Sequence, residues 1–303
     1  MILNKTKKFL IVGLGLIGGS YAKGLKRFGF SVTAIDRDPA AIDFAVERGM
    51  IDRGWTEANK EAVEEADVIV FSLYPTVFLE WVKKNSAFFK KGTLITDVTG
   101  VKSCVVYDVQ AALPEGVEFI SAHPMAGREV SGVQNSDDAI FRGANYIVVP
   151  TERNTEEAIE SCKELGMLLG FSQISVLSPE EHDEMIGFLS QLTHCIAVSL
   201  MTCSDNTHLA CYTGDSFRDL TRIARINDAM WSELFLMNKD ALLRQMDNFL
   251  LELHRMRYML ENDDAEGLRA KMRLSTERRA VFDKKIKQKN DAEASRIYKR
   301  YEP

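Results

Sequence analysis

Histidine is scarce in this chain, with five in 303 residues. Cysteine is no commoner: Cys104, Cys162, Cys195, Cys203 and Cys211 contain no C-x-x-C, and none stands near a histidine cluster of ligand spacing. That pattern argues against a structural zinc site and reads as reduced thiols in a cytoplasmic protein, with no metal expected. No long basic run occurs and the net charge is −6, so no nucleic-acid partner is expected. Repeats, low-complexity linkers and Gly/Pro-rich hinges are missing too. Past the N-terminus no apolar run approaches the ~20 residues that span a bilayer, so no membrane partner is expected. What is present is an ordinary apolar content of 46%. The length is generous for one hydrophobic core, so two domains are expected.

The stretch "NKTKKFLIVGLGLIGGSYAKG" imitates a secretory signal: a basic start, an apolar run, then small residues. A cleaved signal needs no glycine spacing, yet here Gly13, Gly15 and Gly18 form G-x-G-x-x-G between a strand (9–12) and a helix expected from Gly19 to about Phe28. A second strand, "SVTAID", ends in Asp36. The glycines do different things: Gly13 permits the tight turn, Gly15 the close approach of a pyrophosphate, and Gly18 the close packing of helix on strand. The helix N-terminus then offers N–H groups to phosphates. Asp36 stands where a carboxylate accepts hydrogen bonds from the adenosine ribose and repels a 2′-phosphate, which favours NAD. Arg37 beside it leaves NADP open. Leu16 and Ile17 in the glycine loop, and Ser72 and Leu73 after the strand "DVIVF", complete the expected cofactor contacts.

Strand-like runs continue at 67–75, 93–100, 117–124, 145–150 and 172–178, most separated by helical stretches. Alternation of this kind predicts a Rossmann-type, doubly wound parallel α/β sheet, with ligands bound outside the carboxyl ends of its strands. His123, in "SAHPMAG", falls at the carboxyl end of its run, and Thr99 and Gly100 end the preceding run at the same edge. A lone histidine there is often only a hydrogen-bonded turn residue.

After Ser178 the strand signals stop. The expected division is therefore a dinucleotide-binding domain over 1–178 and an all-α substrate and dimerisation domain over 179–303. "SPEEHDEM" opens a helix with Ser178 as N-cap, Pro179 at the first position and Glu181 closing a capping box. Asp183, Gly187, Ser190 and His194, spaced 4, 3 and 4, share one face of it, either solvated or lining a cleft. Arg218, Arg222 and Arg225 follow at i, i+4 and i+7: a solvated basic face, or a carboxylate clamp built on guanidinium forks. The leucine- and methionine-rich run to about 290 carries more apolar surface than one stripe needs, which predicts packing between subunits.

"IVGLGLIGGS", "TDVTGVK", "HPMAGRE", "EEHDEMIGFLSQLTH" and "SFRDLTRIA" occur in the order of the motifs of the prephenate dehydrogenase family, which includes arogenate dehydrogenases, and the chain resembles that family over roughly residues 8–280. The resemblance implies a Rossmann domain, a helical dimerising domain, a site between them, and NAD(P)-dependent oxidative decarboxylation of prephenate in tyrosine biosynthesis. It implies His123 as the catalytic histidine, His194 and Ser190 as substrate-binding residues, Arg222 as the carboxylate-binding arginine and Glu129 as a gating or polar pocket residue; Arg128 is a weaker candidate. Where many members have a serine thought to assist at the ring hydroxyl, this chain has Gly100, so either Thr99 supplies the hydroxyl or His123 works without it. From the length of the chain no fused regulatory or mutase domain is expected. Three alternatives stand beside this reading. Arogenate, with an ammonium in place of the keto group, is one. A β-hydroxyacid dehydrogenase is disfavoured because no lysine lies between Lys163 and Lys239. A non-catalytic NAD-binding protein would not need the histidine.

Overall fold

The structure, a computed structural model, describes residues 4–282. Six parallel strands form the main sheet: β1 (Lys8–Val12), β2 (Ser31–Ile35), β3 (Arg53–Trp55), β4 (Val68–Phe71), β5 (Leu94–Asp97) and β6 (Glu118–Phe119), in the order β3-β2-β1-β4-β5-β6. Between them run α1 (Leu16–Arg27), α2 (Pro39–Glu47), α3 (Lys60–Glu65), α4 (Pro75–Asn85) and α5 (Ser103–Ala112). Successive residues of β1 enter opposite cores: Phe9 and Ile11 pack on one face of the sheet, Leu10 and Val12 on the other, all at most 1% exposed. Burial on both faces explains why this strand reads as an unbroken apolar run. Each such side chain contributes about 1.5–3 kcal/mol. Helix α1 begins three residues before the expected Gly19, with Gly15 as its N-cap.

The later strands depart from the expected single parallel sheet. The run 117–124 breaks at Ile120, whose N–H still donates to Ile95 O of β5. The chain then enters a second sheet of three strands, β7 (Ser121–Met125), β8 (Asn145–Val149) and β9 (Gln173–Val176), with β7 antiparallel to β8. Asp97 causes the switch: its Oδ1 accepts from Ser121 Oγ at 2.5 Å and Ala122 N at 3.2 Å, replacing ladder bonds by side-chain bonds. His123 therefore lies mid-strand, opposite Ile147, and not at a strand end. Helix α6 (Glu156–Leu169) links β8 to β9.

The helical half contains α7 (Pro179–Ile186), a π-helical turn (Gly187–Leu192), α8 (Thr193–Thr202), α9 (Asp215–Thr221), α10 (Asp228–Met237), α11 (Lys239–Glu261) and α12 (Ala265–Ala280). The expected capping box is present: Glu181 N donates to Ser178 Oγ and Ser178 N to Glu181 Oε2. Because the π turn does not interrupt the axis, Pro179–Thr202 is one 24-residue helix, long and apolar enough by length and composition to cross a membrane. The expectation of no such run is corrected on that point; the helix also carries the buried His182 and Asp183.

Candidate active site

The glycine loop opens at the carboxyl end of β1. Gly13 has φ +100° and its N–H donates to Ile35 O at 2.8 Å; a Cβ there would strike Ser72 O of the chain leaving β4. Above Gly15 nothing lies within 4 Å of a built Cβ. That is the open approach a pyrophosphate requires, over a helix N-terminus with no acidic residue in its first turn. Leu16 is buried beneath the loop and Ile17 partly so, and Ser72 and Leu73 are partly exposed beside it. Asp36 Oδ2 accepts from Leu14 N at 2.6 Å and Oδ1 from Asp38 N at 2.8 Å, which fixes the carboxylate against the loop. Arg37 is exposed next to it. These residues fit a dinucleotide.

His123 is the partly exposed end of a buried line of polar groups. Its Nδ1 lies 2.9 Å from Nε2 of His182 in α7, and His182 Nδ1 lies 2.8 Å from Asp183 Oδ1. Asp183 in turn receives Lys102 N at 2.9 Å and Ser103 N at 2.8 Å, capping α5 from across the two halves of the chain. Lys102 is fully buried; its Nζ contacts Asp97 Oδ2 at 2.8 Å and donates to Ala122 O, the residue before His123, at 2.7 Å. Burial, then His182 and Lys102, holds the His123 pKa well below the usual histidine value. Burial also lowers His182, against the pull of Asp183. For Asp183 burial works against ionisation, but His182 and Ser103 outweigh it and keep the carboxyl below its usual range.

A second group faces the helical half. The Nδ1 of His194 can only donate to Ser190 O, at 2.8 Å, because a carbonyl has no proton to give; its Nε2 is left as an acceptor. The ring stacks on Trp231 of α10 with centroids 3.7 Å apart. Burial lowers the His194 pKa, with Glu129 and Arg222 as its charged neighbours. Arg222 pairs with Glu129, joining the loop after β7 to the turn after α9. The three arginines do not form one helical clamp. Helix α9 ends at Thr221, Arg222 opens a 3-10 turn, Arg218 pairs with Asp215 at 3.1 Å, and Arg225 is exposed. Arg128 pairs with Asp137 at 3.4 Å.

Two expectations change. Thr99 offers no free hydroxyl: it is 3% exposed, bonded to Asp97, and within 3.0 Å of Val101 O and 3.2 Å of Lys102 Nζ. The polar stripe on the α7–α8 helix is also divided. Asp183 turns to α5, Gly187 packs toward Ala241 of α11, and only Ser190 and His194 meet each other. Missed by sequence reasoning were His182, Lys102, Asp97 and Trp231. His182 pairs with a residue 59 positions away, and only its place in a helical first turn beside an aspartate hints at that.

Known proteins share this architecture. The family model described as prephenate dehydrogenase, nucleotide-binding domain, matches residues 21–172, and that described as prephenate dehydrogenase, dimerization domain, matches residues 178–274. The chain is 33% identical over 267 residues to the prephenate dehydrogenase of Bacillus subtilis, covering 86% of this chain and 71% of that protein. It is 34% identical over 275 residues to that of Lactococcus lactis, covering 86% and 73%. Among solved structures, the prephenate dehydrogenase of Aquifex aeolicus in complex with hydroxyphenyl propionate and NAD+ superposes with a TM-score of 0.83 at 31% identity, covering 91% of this chain and 98% of that one.

Proposed function

The chain belongs to the prephenate dehydrogenase family, and from that premise we propose that it converts prephenate to 4-hydroxyphenylpyruvate and CO₂ with NAD⁺ as oxidant. NAD, when bound, supplies the hydride acceptor. The glycine loop, the α1 N-terminus and Asp36 hold it, with Ser72 and Leu73 alongside. His123 takes the proton of the ring hydroxyl, for which a neutral imidazole is required. As that proton leaves and the hydrogen on the same carbon departs as hydride, the carbon–oxygen bond gains carbonyl character; the electrons of the breaking carboxylate bond then flow into the ring, CO₂ leaves and the proton returns to the phenol oxygen. Aromatisation makes the step effectively irreversible. Arg222, His194 and Ser190 hold the dianionic substrate; Glu129, now paired with Arg222, yields its place to a substrate carboxylate. The observation that carries the reading is a partly exposed histidine, its pKa lowered by burial and backed by a buried polar line, on the strand that leads into the loop whose Glu129 pairs with Arg222.

The proposal extends to a domain division at 178/179, where β9 has ended and the capping box begins, to a cytoplasmic location, in keeping with five free thiols, and to a homodimer through the helical half. NADH formation from prephenate, arogenate and a panel of 3-hydroxyacids tests the substrate. Turnover of prephenate is expected to exceed that of the others; a 3-hydroxyacid as the best substrate overturns the proposal.

A further inference from the structure

We propose that His182, oriented by Asp183, is a positioning residue that locks His123 into the one tautomer able to act as a base. The inference rests on the reading of His123 as that base. Asp183 supplies the starting point. Both its oxygens accept backbone N–H bonds, from Lys102 and Ser103, at the N-terminus of the ten-residue helix α5, where a helix dipole favours an anion. A carboxylate held this way can only accept, so His182 Nδ1, 2.8 Å away, carries the proton. In neutral His182 the other nitrogen, Nε2, is then a bare acceptor. It faces His123 Nδ1 at 2.9 Å, so that nitrogen must carry the proton of His123. The proton-free nitrogen of His123 is thereby Nε2, and its lone pair is free for the hydroxyl proton. After that transfer the imidazolium still donates Nδ1–H to His182, with the Asp183 carboxylate one ring behind. Burial of both rings, and the Lys102 charge near them, keep the pair neutral beforehand.

His182 is fully buried, and the bland alternative is a residue that merely ties α7 to the sheet. Two substitutions separate the roles because each keeps one end of the ring. In His182→Asn the shorter amide sits near the former Nδ1 and keeps the Asp183 contact. In His182→Gln the longer amide reaches the former Nε2 and keeps an acceptor for His123. Positioning predicts that His182→Asn lowers kcat by about 10²-fold or more, the low end of the range for a lost general base, with KM nearly unchanged. His182→Gln should retain most of the turnover. A tie to the sheet predicts the opposite order, with the loss tracking melting temperature. A cycle with His123→Asn completes the test. The double variant His123→Asn/His182→Asn should turn over no more slowly than His123→Asn alone, because His182 acts only through His123. Multiplying losses overturn the positioning role while leaving His123 as base; a His123→Asn enzyme with wild-type kcat overturns the base itself. Should the His182→Asn variant fail to fold, His182→Gln decides: turnover lost in a folded His182→Gln enzyme contradicts the proposal.

Discussion

At the scale of single residues the charges sort by burial. Arg222 is 64% exposed in its side chain and its pair with Glu129 contributes little to stability. Its proposed role is in ligand binding. Arg222→Ala is expected to raise KM for prephenate by about 10- to 100-fold, about 1.4 kcal/mol per tenfold, while Arg225→Ala changes it little; steady-state kinetics on the two variants give the comparison, and equal small effects contradict the assignment. On the proposed mechanism His123 sets the pH profile. Its neutral form is then the active one, so activity should be present above its pKa and lost as pH falls through it. Because burial, His182 and Lys102 all lower that pKa, the acid limb of kcat/KM should lie below about 6.5, the ordinary histidine value; a limb above it would mean that the Asp183 carboxylate behind His182 outweighs burial. Of these residues, His123, His194 and Arg222 could be picked out as candidates from the sequence because each sits in a motif with local chemistry around it. His182 was not, since its meaning lies in a contact made by folding. Thr99 misled because a hydroxyl near a strand end reads the same whether it points outward or into the Asp97–Lys102 pair.

At the scale of elements, capping chemistry was readable and backbone irregularity was not. Ser178, Pro179 and Glu181 start α7 as their residue types dictate, whereas nothing in "GFLSQL" announces a π turn. Contacts from α10 and the turn that follows it pin it: Asn238 Nδ2 donates to Asp183 O and to Gln191 Oε1, both at 2.8 Å, and Gln191 donates to Leu234 O at 2.9 Å. Single π turns recur at functional sites, and this one lies between the His182–Asp183 pair and His194. Asn238→Ala strands buried acceptors and is expected to destabilise the protein by about 1–3 kcal/mol, read from urea midpoints; a loss within a few tenths would show the turn is held by packing alone. The break of the 117–124 run into β6 and β7 was hidden for a related reason. Its cause, the Asp97 carboxylate, lies in another strand.

At the scale of the molecule, the six-stranded parallel sheet was legible because its periodicities are local, while the helical half leaves large apolar side chains exposed. Leu236, Tyr258 and Leu260 are 72%, 66% and 62% exposed. Apolar surface of this kind is ordinarily covered, so sedimentation at micromolar concentration should show a dimer; a monomer would contradict a symmetric interface. The proposed catalytic machinery draws on both halves, with His123 on β7, His182 on α7 and Arg222 after α9. It is tested most directly by NADH formation from prephenate and NAD⁺, measured for the wild-type and His123→Asn enzymes side by side. The wild type should turn over prephenate, and His123→Asn should lower kcat by about 10²–10⁴-fold with KM nearly unchanged. A wild-type enzyme inert toward prephenate, or a His123→Asn enzyme with undiminished kcat, would contradict it.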